Sequence, residues 1–429
     1  MQKKLSGRFY FALILFSLVG QIAWVVENMY LNVFIYNMFR ATPADISLMV
    51  AASAVAATLT TVFIGALSDR LGRRRLFIAG GYILWGLSLF GFALIRADIL
   101  GALFPTVSAA ALGVYLTIFF DCLMTFFGSS ANDAAFNAWL TDATESGGRG
   151  RAEGINAMMP LVAILVVFGG FMFFDLSLPA SWTLIFCVIG GVVTLAGVAG
   201  LFLIRDDGMR PSESGVLSNI LYGFRPSTVK GNTRFYLLLL AFVVFNTSIQ
   251  IFMPYLIIYY EKTLALSNYV LIMAPAIIVA SVCTVFFGRF YDKKGFFPSL
   301  CTALALLVLG YLLLYFFVDV ALVFVGSLFM MSGYLAGMAV FGAAIRDRTP
   351  RGKAGMLQGL RIFSQVLVPG VIGPAIGAAV LAGADTILNS DGTRSFLPSA
   401  DIFLAAALTL ILLTPTLYLL LRKGREKTK

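Results

Sequence analysis

Residues 65–75 read GALSDRLGRRR and join two long apolar runs. Gly65 is followed by Asp69 and Arg70, then by Gly72, with Arg73, Arg74 and Arg75 behind. The same skeleton returns at 288–295 as GRFYDKKG, with Gly288, Asp292, Lys293 and Gly295. In both copies the acid lies four residues after the first glycine, and the second glycine lies seven after it. A charged turn repeated at matched places between apolar runs describes two similar bundles in one chain. Two bundles around a midplane site form the architecture of alternating access.

A second echo follows in the same order. RGRA begins at Arg149 and RGKA at Arg351, each ahead of the fifth apolar span of its half. Its separation from the first motif is 80 residues in one half and 59 in the other. About one helical stretch was therefore gained or lost around the third and fourth spans.

Composition places the repeat in a bilayer. Of 429 residues, 60% are hydrophobic and 12% charged, with a mean hydropathy of +0.92. A soluble domain carries about 25% charged residues, so this chain cannot coat a water-facing surface. The first apolar run, Phe9 to Val26, exceeds a signal h-region and lacks a small-residue cleavage site, so it reads as the first membrane helix. Cys122, Cys187, Cys283 and Cys301 lie inside apolar runs without metal-type spacing and read as small buried hydrophobes. No metal or cofactor is expected. The chain has no histidine, so proton chemistry would have to use carboxylates.

Uncharged stretches long enough for about 30 Å of hydrocarbon occur at 46–68, 76–95, 154–174, 176–204, 235–260, 263–288, 295–318, 320–345 and 402–421. Three more spans appear when one charge each is admitted: 9–37 with Glu27, 106–131 with Asp121, and 354–382 with Arg361. The expected fold is an all-α membrane protein of twelve transmembrane helices in two pseudo-symmetric six-helix bundles. With the N-terminus inside, the inner segments hold 27 of the 31 Lys and Arg; only Arg40, Arg96, Lys262 and Arg394 fall outside. A miscounted helix would scatter that split, so both termini are expected in the cytoplasm of a cell membrane. The net charge of +10 is thus topogenic and implies no nucleic-acid partner.

The expected domains are an N-terminal bundle at 1–204, a cytoplasmic linker at 205–233 and a C-terminal bundle at 234–429. Within the linker, Leu217, Ile220, Leu221 and Phe224 recur at helical spacing. That pattern fits a surface-lying amphipathic helix or an irregular connection equally well. The outer stretch 383–398, rich in Gly, Asp and Ser, reads as a loop.

The motif at 65–75, placed between the second and third of twelve spans, resembles the signature of the major facilitator superfamily. Further on, FNAWLTDAT (136–144) with Arg149 is similar to the end of helix four in the melibiose-type glycoside–pentoside–hexuronide cation symporters. Phe136, Ala138, Asp142 and Thr144 fit that pattern, while Asn137 stands where Gly is usual and Thr141 where Pro is usual. The resemblance implies a sugar or glycoside carried with H⁺ or Na⁺. It also implies that acids of the N-terminal bundle, here Glu27 and Asp121 with Asp133 beyond, bind the coupling cation.

An ionised side chain inside hydrocarbon costs a few kcal/mol, so the intramembrane charges are functional candidates. Around Glu27, Gln21, Asn28, Asn32 and Tyr36 recur at seven, four and four residues. On a regular helix that spacing lines one side with hydrogen-bonding groups, suited to a polyhydroxylated ligand or to helix–helix bonding. Asp121 shares a face with Thr117 and Thr125. Asn132, Asp133 and Asn137 fit either the inner mouth of a cavity or the hydrated end of a helix.

In the second half the substrate-binding candidates are Asn246, Gln250, Gln358 and Arg361. A shift of 223 residues lays Glu27 on Gln250, which would make one bundle charged and the other neutral at matched positions. Arg361 can equally snorkel to the interface. Trp24, Trp139, Tyr255 and Tyr334 are either sugar platforms or packing residues. Gly370, Gly373, Pro374 and Gly377 read as a close-contact and bending stretch.

The loop residues Gly65, Asp69, Arg70, Gly72, Arg73, Asp142, Arg149, Asp292, Lys293 and Gly295 form the expected gating set. Charge contacts made in one of two states bias the equilibrium without touching substrate. Three functions compete: a cation-coupled symporter, a proton-coupled exporter of amphipathic compounds, and a lipid-moving protein or polytopic enzyme. No histidine and no Cys, Ser or paired-carboxylate constellation favours an enzyme, and no G-x-x-x-x-G-K-[ST] phosphate loop supports an ATP-driven pump. The expected partners are a small solute, a monovalent cation and the bilayer, with the chain acting as a monomer.

Overall fold

The computed structural model describes residues 6–144, 149–205, 223–266, 268–349, 360–389 and 392–425. Twelve helices among them are long and apolar enough to cross a membrane. They are α1 Gly7–Phe39, α2 Pro43–Ser68, α3 Arg74–Leu94, α4 Ala109–Ala143, α5 Gly154–Phe171 and α6 Pro179–Leu203. The second half gives α7 Thr233–Thr263, α8 Val270–Lys294, α9 Phe296–Phe316, α10 Val320–Arg348, α11 Leu360–Gly383 and α12 Asp401–Arg422. The chain divides into two compact units, Met1–Asp45 with Ala52–Ser218, and Ile46–Ala51 with Asn219–Lys429.

Local chemistry sets the helix ends. At the start of α2, the Thr42 hydroxyl accepts from Asp45 N at 3.2 Å and the Asp45 carboxylate accepts from Thr42 N at 2.8 Å, with Pro43 in the first turn. This reciprocal box satisfies two orphan donors. Asp319 Oδ1 does the same for α10, accepting from Ala321 N at 3.0 Å and Leu322 N at 3.3 Å. The second glycine of each repeated motif is the turn device: Gly72 has φ 63° and Gly295 φ 79°, the left-handed region that glycine enters freely. The first glycines, Gly65 and Gly288, lie within helices.

Each unit packs by itself. In the first, α3 lies against α6 and α1 against α5. Aromatic edges fill the gaps: Phe16 on Tyr82 at 5.0 Å, Trp24 on Trp85 at 4.9 Å and Phe34 on Trp182 at 5.2 Å. In the second, α10 packs on α8 and α9, and α7 on α11 and α12. A Cβ on Gly373 would meet Gln250 Cβ at 2.5 Å, and one on Gly377 would collide with Ile251 O. The glycine stretch of α11 is thus a close-contact surface for α7, as its small residues imply. Outward-facing Phe63, Leu84, Leu195, Phe202, Leu271 and Val285 stay exposed, which suits a chain whose solvent is lipid.

Several boundaries differ from the sequence expectation. Helix α4 continues to Ala143, twelve residues past the expected 131, because the polar groups of 129–137 are satisfied inside the bundle. The connection between α3 and α4 spans 14 residues against 3 between α9 and α10, which accounts for much of the unequal motif spacing. It carries a short helix, Ala97–Leu103, headed by Arg96, whose Nη2 meets Asp98 Oδ2 at 2.8 Å. That hydrogen bond holds the exposed Asp98 carboxyl below the ordinary carboxylate range. The connection between α11 and α12 contains an antiparallel pair, β1 Thr386–Leu388 and β2 Arg394–Phe396, with Ile387 opposite Ser395. The surface helix expected at 217–224 falls mostly outside the described residues.

Candidate functional site

The first unit builds its polar centre where two helices abandon regular α geometry. Helix α1 takes a π turn at Val26–Tyr30, and α4 a longer π segment at Ser129–Phe136. Such i→i+5 turns are rare and cluster at functional sites. Glu27 lies in the first of these turns, and Asp121 two turns before the second. Glu27 is 8% exposed and Asp121 2%.

Glu27 Oε1 accepts from Ser53 Oγ at 2.7 Å and from Thr125 Oγ1 at 2.8 Å, while Ser53 Oγ and Thr125 Oγ1 lie 2.8 Å apart. Three oxygens from α1, α2 and α4 thus form a triangle with three short edges. The two hydroxyls bring two hydrogens. Beside the triangle, Asp121 is close enough to interact with both Ser53 and Glu27. Glu27 Oε2 and Asp121 Oδ1 are buried without a hydrogen-bond partner among the described residues. Neither acid has a Lys or Arg partner in the ion pairs of the described residues. Two buried carboxyl groups without a Lys or Arg partner among the described residues are costly to hold ionised.

The structure brings Glu27 and Asp121 together with Thr125, as the shared face with Asp121 implies. Ser53 was not legible: it lies in the uncharged stretch 46–68, and a serine in an apolar run carries no signal of its neighbours. Asp133 lies within electrostatic reach of Glu27, its Oδ2 accepting from Ser129 Oγ at 3.0 Å. Asn132 is neither a cavity mouth nor a frayed end. Its Nδ2 donates to Tyr82 Oη at 2.5 Å, and Tyr82 donates to Phe16 O at 2.6 Å, so it ties α4 to α3 and α1. Asn137 is exposed and donates to Asp133 O at 3.2 Å.

The polar stripe on α1 also needs correction. Asn28 is exposed and its Nδ2 donates to Trp24 O at 2.8 Å, whereas Asn32 is buried and donates to Asn28 O at 3.1 Å. The spacing assumed a regular helix, and the π turn between Val26 and Tyr30 breaks that register. Asn32 Oδ1 remains buried without a hydrogen-bond partner among the described residues.

In the second unit Asn246 is buried and donates to Phe242 O at 2.8 Å. Gln250 lies one turn later, at the contact with Gly373. Glu27 bonds α2 and α4, whereas Gln250 packs on α11, so the matched positions have different surroundings. Arg361 is half-buried just before a further π turn, Phe363–Leu367. Gln358 lies outside the described residues. Trp139 stacks on Phe136 at 5.7 Å and Tyr255 is fully buried, so both serve packing rather than a sugar platform. Trp24 packs on Trp85, and Tyr334 is half-buried.

At the basic end of the first unit, Arg74 makes a charge contact among the described residues. Its Nη1 donates to Ser68 Oγ at 2.5 Å and its Nη2 reaches Asp142 Oδ2 at 3.3 Å. Arg74 is buried, while Arg70 and Arg73 are exposed. In the second half Tyr291 donates to Asp347 Oδ2 at 2.6 Å, and Asp292 and Lys293 are exposed. Motif alignment places Tyr291 on Ser68, so both repeats link the residue before the motif acid to an acid near the end of α4 or α10, directly or through Arg74. The side chains of Asp69 and Arg149 lie outside the described residues.

Twelve membrane helices in two pseudo-symmetric six-helix bundles define a multi-pass transporter rather than an enzyme. The chain belongs to the Major Facilitator Superfamily, whose pattern it matches over residues 9–374. Similar solved structures include a point mutant of the nucleoside transporter NupG, with a TM-score of 0.74 at 11% identity, covering 96% of this chain and 99% of that one. A bacterial homologue of the human lysosomal transporter Spinster, inward-facing and unoccupied, gives 0.68 at 16% identity over 97% and 96%. The xylose transporter XylE from E. coli, in a partially occluded inward-open form, gives 0.65 at 14% over 95% and 98%. Among curated proteins none matches the chain.

Proposed function

We propose that the protein is a secondary active symporter that moves a small polar solute, a sugar or glycoside, with H⁺ or Na⁺. The observation that carries the reading is the oxygen triangle of Glu27, Ser53 and Thr125 beside Asp121. Two hydroxyl hydrogens cannot serve three short O···O edges. A proton on Glu27 would supply the third hydrogen, and a bound cation would instead be ligated by the three oxygens. Loading and unloading that charge changes the electrostatics of α1, α2 and α4 together. Coupling then requires cation and solute each to favour the other's bound state, a linkage free energy.

The solute class follows from the resemblance to the melibiose-type symporters. It is supported by structural likeness to proteins described as carriers of xylose and of nucleosides, both of which present sugar hydroxyls. Asn32, Asn246, Gln250 and Arg361 are the proposed solute donors and acceptors, with Asn28 and Gln358 beside them in sequence. The bundles are proposed as 1–204 and 234–429 joined by a cytoplasmic linker, with both termini in the cytoplasm and the chain a monomer in the cell membrane. The test is uptake of a panel of sugars, glycosides and nucleosides into proteoliposomes under separate Na⁺ and pH gradients. Stimulation by one gradient for one solute supports the proposal. Uptake indifferent to both gradients contradicts it.

A further inference from the structure

A cavity of about 90 Å³ opens at the basic end of the second unit, between Arg234, Leu238, Phe296, Phe297, Arg348 and Leu420. By the same measure a single water needs only about 10–15 Å³, so a phosphate-sized group fits. Arg234 is the second residue of α7 and Arg348 the last of α10, so guanidinium groups from two helices share one cavity.

Arg348 is held in place. Its Nη1 donates to Ala344 O at 3.2 Å, and its guanidinium carbon lies 5.3 Å from the Phe296 ring centre. Arg234 Nη2 is buried without a hydrogen-bond partner among the described residues. Among the described residues no acid lines the cavity; beyond its walls Tyr291, which donates to Asp347 at 2.6 Å, lies beside Arg348. Two guanidinium groups sharing one cavity suit an anion with several acceptor oxygens, and phosphate matches that geometry. The remaining walls, Leu238, Phe296, Phe297 and Leu420, are apolar. A free phosphate would gain nothing from them, whereas the glycerol backbone and first methylenes of a lipid would.

We propose that this cavity binds the phosphodiester headgroup of an anionic phospholipid, anchoring the ends of α7 and α10. Basic pockets between membrane helices are a recurrent setting for such headgroups. The inference is independent of the solute and of the coupling ion.

The test uses the purified full-length protein in nanodiscs of phosphatidylcholine with a minor fraction of phosphatidylglycerol, with lipid retention read by native mass spectrometry. The unchanged protein and Arg205→Gln, which removes a charge just past the end of α6, are expected to retain phosphatidylglycerol at least tenfold over phosphatidylcholine. Arg234→Gln with Arg348→Gln is expected to lose that preference at least tenfold. Retention by the double variant equal to that of the unchanged protein would overturn the proposal. Should the double variant fail to fold, Arg348→Lys keeps the charge and loses the fork. It is expected to weaken retention several-fold, and no change would count against the site. In pure phosphatidylcholine, inorganic phosphate is expected not to stabilise the protein; stabilisation equal to that by phosphatidylglycerol would assign the site to a soluble anion and overturn the lipid reading.

Discussion

Ser53 is the residue on which the candidate site turns. It contributes one of two donors to Glu27 Oε1 and touches Thr125 as well. Hydrogen bonds to charged groups are worth about 1.5–3 kcal/mol, so Ser53→Ala should lower gradient-driven uptake about tenfold or more. The loss arises from weaker Na⁺ binding if the cation is Na⁺, and from slower proton release if it is H⁺. Initial uptake rates at fixed solute and stepped gradients measure it. A rate equal to that of the unchanged protein would remove Ser53 from the site. Tyr82 has a different role, as the link between Asn132 and Phe16 O. Tyr82→Phe leaves Asn132 Nδ2 with only its 3.4 Å bond to Phe16 O, and removing one buried hydrogen-bond partner costs about 1–3 kcal/mol. Thermal unfolding in detergent should come earlier while the solute affinity of the folded fraction is kept. Glu27 and Asp121 were legible in the sequence because a lone acid in an apolar run needs a reason. Ser53 and the Tyr82–Asn132 bond were not, since serine and tyrosine occur in membrane helices for many reasons and only the packing reveals their partners.

At the scale of elements, the count of twelve spans followed from hydropathy and from the placement of Lys and Arg, both strong signals over twenty-residue windows. What hydropathy could not show was departure from α geometry. The π turns at Val26–Tyr30 and Ser129–Phe136 leave no compositional mark, yet they decide that Asn28 and Asn32 differ in burial. Helix packing offers a contrast within one element. Gly86 of α3 approaches α6 so closely that a Cβ would lie 2.5 Å from Thr194 N and 2.6 Å from Gly190 O, whereas one on Gly80 meets nothing within 4 Å. Gly86→Ala should therefore destabilise by about 1–3 kcal/mol or more, because backbone cannot step aside. Gly80→Ala should leave the unfolding midpoint unchanged or raised. Equal midpoints for the two variants would contradict the observed α3–α6 spacing.

For the whole molecule, the repeated motif was the most informative sequence feature. Gly72 and Gly295 make the turns, and Arg74 rather than Arg70 or Arg73 makes the buried contact, reaching Ser68 and Asp142. Asp142 is 41% exposed, so the pair resembles a surface bridge worth about 0–1 kcal/mol. Its proposed effect is a bias between conformations. Asp142→Asn should slow transport a few-fold, and Asp69→Asn should slow it more, both leaving equilibrium solute binding nearly intact. Parallel loss of binding and rate would show that these residues act on the solute site instead.

The central claim is that Glu27 carries the coupling charge without being needed for the conformational change itself. Glu27→Gln keeps the shape and one acceptor of the carboxyl group while removing its ionisation. Solute exchange between preloaded and empty-medium compartments and gradient-driven accumulation should be measured side by side in the same proteoliposomes. Exchange is expected within a few-fold of the unchanged protein while accumulation disappears. Accumulation that persists in Glu27→Gln, or exchange that vanishes with it in equal proportion, would contradict the account.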